Sequence, residues 1–200
     1  MARSFGGGAV GLDGSRVAPR SVLSERVIVA AALEIIVERG VDGLSMRLLS
    51  ERLGVALGAT YKHVANKHTL LQMVAETLYA RIEAPPEDVD EFEQAKSVIL
   101  QVHELLAAHP GMAQYIAQHV PEFTSVNLVK QITGPLFAAG LSPQDAKQIT
   151  FALVLLNGGH MLVRMPPELE KEAAEAFENG VDLILGGARS RVGRAPGQQR

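Results

Sequence analysis

Five hydrogen-bond donors stand within 21 residues of one another: Arg47, Tyr61, Lys62, His63 and Lys67. Side chains of these types bind phosphate oxygens, sugars and the edges of bases. An Arg fork fits O6 and N7 of guanine together. The stretch that carries them runs LSMRLLSERLGVALGATYKHVANKHTLL over residues 44–71. Its pattern predicts a short amphipathic helix from Met46 to Leu53, a tight turn at Gly54-Val55-Ala56, and a second short helix running through Tyr61, Lys62 and His63. Gly54 suits a helix end because glycine accepts positive φ without a Cβ clash. Leu44, Leu49 and Leu53 fall on one face, and Val55 and Val64 are expected to close the cluster. That arrangement is a helix-turn-helix, with the second helix free to enter a DNA major groove.

The rest of the composition sets bounds. The chain has 200 residues and 47% hydrophobic residues, enough for a real core. There is no Cys, which excludes disulfides, thiolate metal sites and cysteine nucleophiles. No apolar run reaches the ~18 residues of a membrane span, and the N-terminus lacks a secretory pattern, so a cytoplasmic location without membrane contact is expected. Net charge is −3. Residues 1–83 hold 10 basic and 8 acidic residues, residues 84–188 hold 5 and 14, and residues 189–200 hold 4 and none. An acidic body is repelled by phosphates, so nucleic acid should meet the N-terminal part.

Every periodic segment reads as helix, and the expected fold class is all-α. A Gly-rich arm over 1–20, expected to be disordered, precedes a three-helix domain with the helix-turn-helix over 21–66. Ser24 is a plausible N-cap for the first helix, whose buried stripe is Ile28, Ala31, Ala32, Ile35 and Ile36. A linker helix over 67–84, capped by Asn66, stops before Pro85-Pro86. Five further helices are expected within 85–188, with Pro135 kinking one of them and Ser142 capping another. A basic, disordered tail is expected over 189–200.

The run Leu44-Ser45-x-Arg47, Leu53-Gly54-Val55, Tyr61-x-His63-Val64-x-Asn66-Lys67, Leu70-Leu71 resembles the DNA-binding domain of the TetR family of bacterial transcriptional regulators. The resemblance is strong over residues 24–82 and weaker to about residue 186. It implies that Tyr61 and His63 reach phosphate or sugar, that Lys67 reaches a phosphate, that Arg47 reaches a guanine edge, and that Lys62 reads sequence. Leu57, Gly58 and Ala59 replace residues that in relatives make polar and apolar base contacts, and here offer only apolar contact and close backbone approach. Ala56 stands where many relatives have Ser or Thr, at a cost of about 1 kcal/mol in capping.

The resemblance further implies a homodimeric repressor, released from a palindromic double-stranded DNA operator by a small organic effector. The last two helices are the candidate dimer surface. The longer one carries Ile149, Phe151, Leu153, Leu155, Leu156, Met161 and Val163 all round, and the final one Leu169, Ala173, Phe177, Val181 and Ile184. Effector contacts are expected from Leu105, Met112, Tyr115, Ile116, His119, Phe123, Ile132, Phe137, Asn157 and His160. His68, His103 and His109 read as surface or cap residues. No HxxxH or HExxH spacing exists, so no metal and no cofactor is expected. No nucleophile elbow or phosphate loop is present, and no catalytic residue is assigned. A helical adaptor with a non-functional helix-turn-helix is the main alternative, and a cofactor-independent helical enzyme a weaker one.

Overall fold

In the computed structural model, residues 23–85, 87–119, 126–163 and 165–192 are described. Among these residues all regular structure is helical. The first helix, α1 (Glu25–Gly43), starts where the Ser24 hydroxyl accepts from the Val27 N–H. It breaks at Gly40, whose backbone adopts φ 70° and ψ 174°, a combination outside the range of residues with a Cβ. The expected stripe of Ile28, Ala31, Ala32, Ile35 and Ile36 is buried.

Three short elements complete the N-terminal unit. They are α2 (Met46–Leu53), α3 (Leu57–Tyr61) and the longer α4 (Lys67–Tyr79). Asn66 caps α4 through the Thr69 N–H, and Leu70, Leu71, Val74 and Leu78 seal its inner face together with Ile82 beyond its end. Arg52 of α2 reaches back to α1. Its guanidinium donates to both Glu38 oxygens, at 3.0 and 2.6 Å, with Glu34 close by. The hydrogen bond from Arg52 holds the Glu38 carboxyl below its ordinary range.

The C-terminal unit comprises α5 (Glu91–Ala107), α6 (Met112–Gln118), α7 (Val126–Ala138), α8 (Pro143–Leu162), a 3₁₀ turn (Pro167–Leu169) and α9 (Glu170–Arg189). Helix α5 lies at its centre and packs on α7, α8 and α9, burying Val98, Ile99 and Val102. Ser142 caps α8 as expected, through the Asp145 N–H. Helix α9 runs through Arg189, so the expected tail boundary is corrected. Arg189 donates to both Asp90 carboxylate oxygens and lies 4.5 Å above the Phe92 ring. Arg191 donates to Asp145, and both contacts hold residues 189–191 against the body. No helix of the described residues is long and apolar enough to cross a membrane.

The two units meet at the corner between α5 and α6. There the Pro110 carbonyl accepts from the Val41 N–H at 3.0 Å. His109, expected at the surface, is buried at this corner and bonds the Leu105 carbonyl through Nδ1.

Candidate nucleic-acid interface

Helix α2 begins at the Ser45 cap and ends at Gly54 in the left-handed conformation. After the turn, α3 forms without a side-chain cap, because Ala56 has none to offer. It is shorter than the sequence suggests. Lys62 and His63 lie in the turn that follows Tyr61, not on the helix.

The cluster behind α3 also differs from expectation. Leu44, Leu49 and Val64 are buried as expected, but Leu53 and Val55 are only half-buried. The hidden contact is polar. The Ser50 hydroxyl donates to the Met46 carbonyl at 2.8 Å and meets the Thr60 hydroxyl at 2.8 Å. Both residues are buried. Since the one Ser50 proton goes to Met46, Thr60 must donate to Ser50. This link fixes the crossing of α2 and α3, and its sequence signal was two hydroxyl residues facing inward among leucines. Ser50→Ala should therefore cost about 1–3 kcal/mol by stranding the Thr60 proton. The double variant Ser50→Ala/Thr60→Val should recover most of that loss. Urea midpoints at unchanged slope would measure both. An equal loss in the double variant would show that the hydroxyl pair is not what links the helices.

With its rear fixed in this way, the motif turns a mixed face outward. Arg47 is largely exposed and, among the described residues, pairs with Glu51, one turn along its own helix. Leu57, Tyr61, Lys62 and His63 are exposed, and Ala59 is half-buried. A Cβ at Gly58 would meet nothing within 4 Å. Among the described residues, no neighbour therefore demands glycine there. Lys67 is half-buried, and its ammonium donates to the Val41 carbonyl at 2.8 Å. Six of the eight expected residues are thus exposed, while Ala59 is half-buried and Lys67 is half-buried and tied to Val41.

The expected effector residues divide. Met112 and Ile132 are wholly buried, and Leu105 and Ile116 are half-buried against the core. Leu105 lines a surface groove of about 300 Å³ with Arg81, Ile82, Gln101 and Glu104. Phe137 is corrected: it is 56% exposed, because the next residue round, Leu136, takes the inward position on α7. Phe123 lies outside the described residues.

The polar members fall into two groups, each with a histidine expected at the surface. His68 of α4 bonds the Tyr115 hydroxyl through Nδ1 at 2.9 Å, and Tyr115 stacks on His119 at 4.4 Å. His103 bonds the buried Asn157 amide oxygen at 2.9 Å and stacks on Phe177 at 4.0 Å. His160 lies 4.8 Å from His103, ring to ring. Burial, and beyond that the neighbouring His103, holds His160 below the ordinary histidine range. Both histidine corrections have one cause. Helical periodicity marked apolar faces, whereas these rings are half-buried by partners on other helices.

Residues 28–74 match the family model described as "Bacterial regulatory proteins, tetR family". The chain is 28% identical over 175 residues to the class C tetracycline repressor protein of Escherichia coli, covering 86% of this chain and 78% of that one. Its fold superposes on a crystal structure of TetR from Acinetobacter baumannii AYE with a TM-score of 0.71 at 28% identity, covering 85% of this chain and 99% of that one. A crystal structure of BioQ with its double-stranded DNA operator gives a TM-score of 0.69 at 26% identity, covering 84% and 99%. The matched segment spans α2, α3 and the whole exposed face described above. The family model, the sequence kinship and the common fold together support a regulator of the TetR family.

Proposed function

We propose that the protein is a homodimeric transcriptional repressor that binds a palindromic DNA operator and is released by a small organic effector. The observation that carries this reading is the outward face of the helix-turn-helix. Arg47, Leu57, Gly58, Tyr61, Lys62 and His63 are open to a duplex, while Leu49, Ser50, Thr60 and Val64 lock the motif from behind. Arg47 and Lys62 read base edges; Tyr61, His63 and Lys67 hold phosphate or sugar; Leu57, Gly58 and Ala59 make apolar or close backbone contact. The DNA-binding unit covers 21–66, the linker helix 67–84, and the effector and dimer unit runs from residue 85 through the end of α9 at Arg189.

One such motif reads half a site, so two copies about 34 Å apart are needed. The outward faces of α8 and α9 supply the dimer surface. Phe151, Leu155 and Leu162 form an exposed stripe on α8, and Leu183 is 77% exposed on α9. Cβ positions at Gly158, Gly159, Gly186 and Gly187 face open space, which lets partner helices approach closely. This refines the expected surface, because Phe177 and Val181 are buried inside the subunit. Asn157, His160 and Tyr115, with the apolar Leu105, Met112 and Ile116, supply the lining for an effector. Effector binding biases the linker helix toward a spacing that no longer fits the operator, through unequal affinity for the two arrangements.

The test is fluorescence anisotropy on duplex DNA flanking the protein's own gene, across a salt series. Specific binding with a steep salt slope and a footprint over two half-sites is expected. Lys62→Ala should reduce discrimination between the footprinted duplex and a scrambled one by about 1–3 kcal/mol, most strongly at one base position per half-site. Absence of any DNA retention at low salt would sink the reading and leave a helical adaptor.

A further inference from the structure

The Lys67 ammonium does not stand free beside the recognition surface. It donates to the carbonyl of Val41, at the end of α1, at 2.8 Å. The N–H of the same residue donates to the Pro110 carbonyl at 3.0 Å. The peptide groups on either side of one α-carbon therefore join the first turn of α4 to the α5–α6 corner. The corner is shaped for this contact. Gly111, the residue after Pro110, adopts φ +85°, and a Cβ there would lie 3.1 Å from the Val41 Cβ and 3.3 Å from its nitrogen. A Cβ at Gly40 would lie 3.4 Å from the Pro110 carbonyl oxygen. The next residue of α4 makes a second tie, since His68 bonds the Tyr115 hydroxyl of α6 at 2.9 Å. The first two residues of the linker helix are thus both held by the C-terminal unit, one through Val41 and one directly.

The geometry points to Val41 and the Pro110-Gly111 corner as positioning residues for the Lys67–phosphate contact. Here Val41 acts through its backbone, and none of the three touches DNA. An ammonium carries three donors, so Lys67 holds the Val41 carbonyl and a phosphate oxygen together. With its stem fixed, it loses little side-chain entropy when DNA arrives. Undocking the corner frees Val41 and with it the lysine, which weakens every sequence alike, because phosphate carries no base identity. The inference rests on the DNA-binding reading above and adds the path by which the C-terminal unit reaches that contact.

Full-length wild type, Lys67→Met, Gly111→Ala and the double variant are compared by anisotropy on one labelled duplex across a salt series. Lys67→Met should flatten the log–log salt slope by about one unit per subunit. Gly111→Ala, which crowds Val41 and strains the backbone, should reproduce that loss, and the double variant should match Lys67→Met alone. Gly111→Asn tolerates the left-handed backbone yet still places a Cβ against Val41, so it replaces Gly111→Ala if helix content falls. A Gly111 variant with the wild-type slope, beside a flattened Lys67→Met, overturns the positioning path and leaves DNA binding standing. An unchanged slope in Lys67→Met overturns the phosphate role itself. Failure of wild type to bind any duplex at low salt overturns the DNA-binding reading, and the path with it.

Discussion

Leu155→Asp is expected to turn the proposed dimer into a monomer and to remove the proposed operator binding at physiological salt. Leu155 is 58% exposed in the subunit and sits between Phe151 and Leu162 on the outward stripe of α8. Within one chain it supports little, so the variant should fold with unchanged helix content. Across a two-fold axis the substitution appears twice. Each copy forfeits about 1.5–3 kcal/mol of apolar burial. Each also buries an unpaired carboxylate, at a cost of several kcal/mol in practice. The apolar term alone reaches ~6 kcal/mol over the two copies, a weakening of dimerisation by about 10⁴-fold, and the carboxylates add to it. The operator contact falls with it, because one helix-turn-helix engages a single half-site. Sedimentation equilibrium should show the 21.4 kDa chain as a single species at micromolar concentration. A dimer that survives Leu155→Asp would place the interface elsewhere, and Leu183→Asp would then distinguish α9 from a wholly different face.

The second large effect lies in the helix-turn-helix itself. Leu49→Ala should cost about 2–5 kcal/mol, since the side chain is fully buried beneath α3 and a cavity remains when it is cut back. For a chain of this size that is a fall in Tm of about 5–15 °C. DNA affinity should drop as well, although Leu49 cannot touch DNA, because the seat of a five-residue helix has been removed. Such a helix has no independent stability and takes its position from packing. Leu57→Ala makes the control. Leu57 is exposed on α3, so stability should change by less than about 0.5 kcal/mol while operator affinity still falls. If Leu49→Ala left both the melting temperature and DNA binding intact, α3 would not depend on this core.

The acidic balance of the C-terminal unit bears on both results. Residues 84–188 carry 14 acidic against 5 basic residues, so the body of the protein adds no attraction for the duplex. On the dimeric DNA-binding reading, affinity comes from a few donors used twice, which is why loss of the proposed dimer and loss of the α3 seat are each expected to be severe.

Much of this was present in the sequence. The buried stripes of α1 and α4 follow from residues recurring every three to four positions, and the observed core keeps Ile28, Ile35, Ile36, Leu70, Leu71, Val74 and Leu78. The starts of α1, α4 and α8 follow from Ser24, Asn66 and Ser142, whose side chains bond the N–H three residues on. Caps and stripes are local, fixed by neighbours within one or two turns, and so they can be read along the chain. The exposed donors Arg47, Tyr61, Lys62 and His63 were legible for the same reason, since a short motif with fixed spacing determines its own outward face.

What the chain could not reveal depends on partners far away in sequence. Ser50 and Thr60 show in the sequence as inward hydroxyls among leucines, but nothing along the chain says that the two will meet. His103 and His68 look like solvated helix residues until Asn157 and Tyr115 arrive from other helices, 54 and 47 positions away. Phe137 looks like core until α5 selects Leu136 instead. Periodicity determined which helices form and roughly which faces are apolar. Only tertiary packing decided which half-buried polar groups are satisfied, and by whom, because a hydrogen bond between helices depends on their relative placement and leaves no period in the sequence.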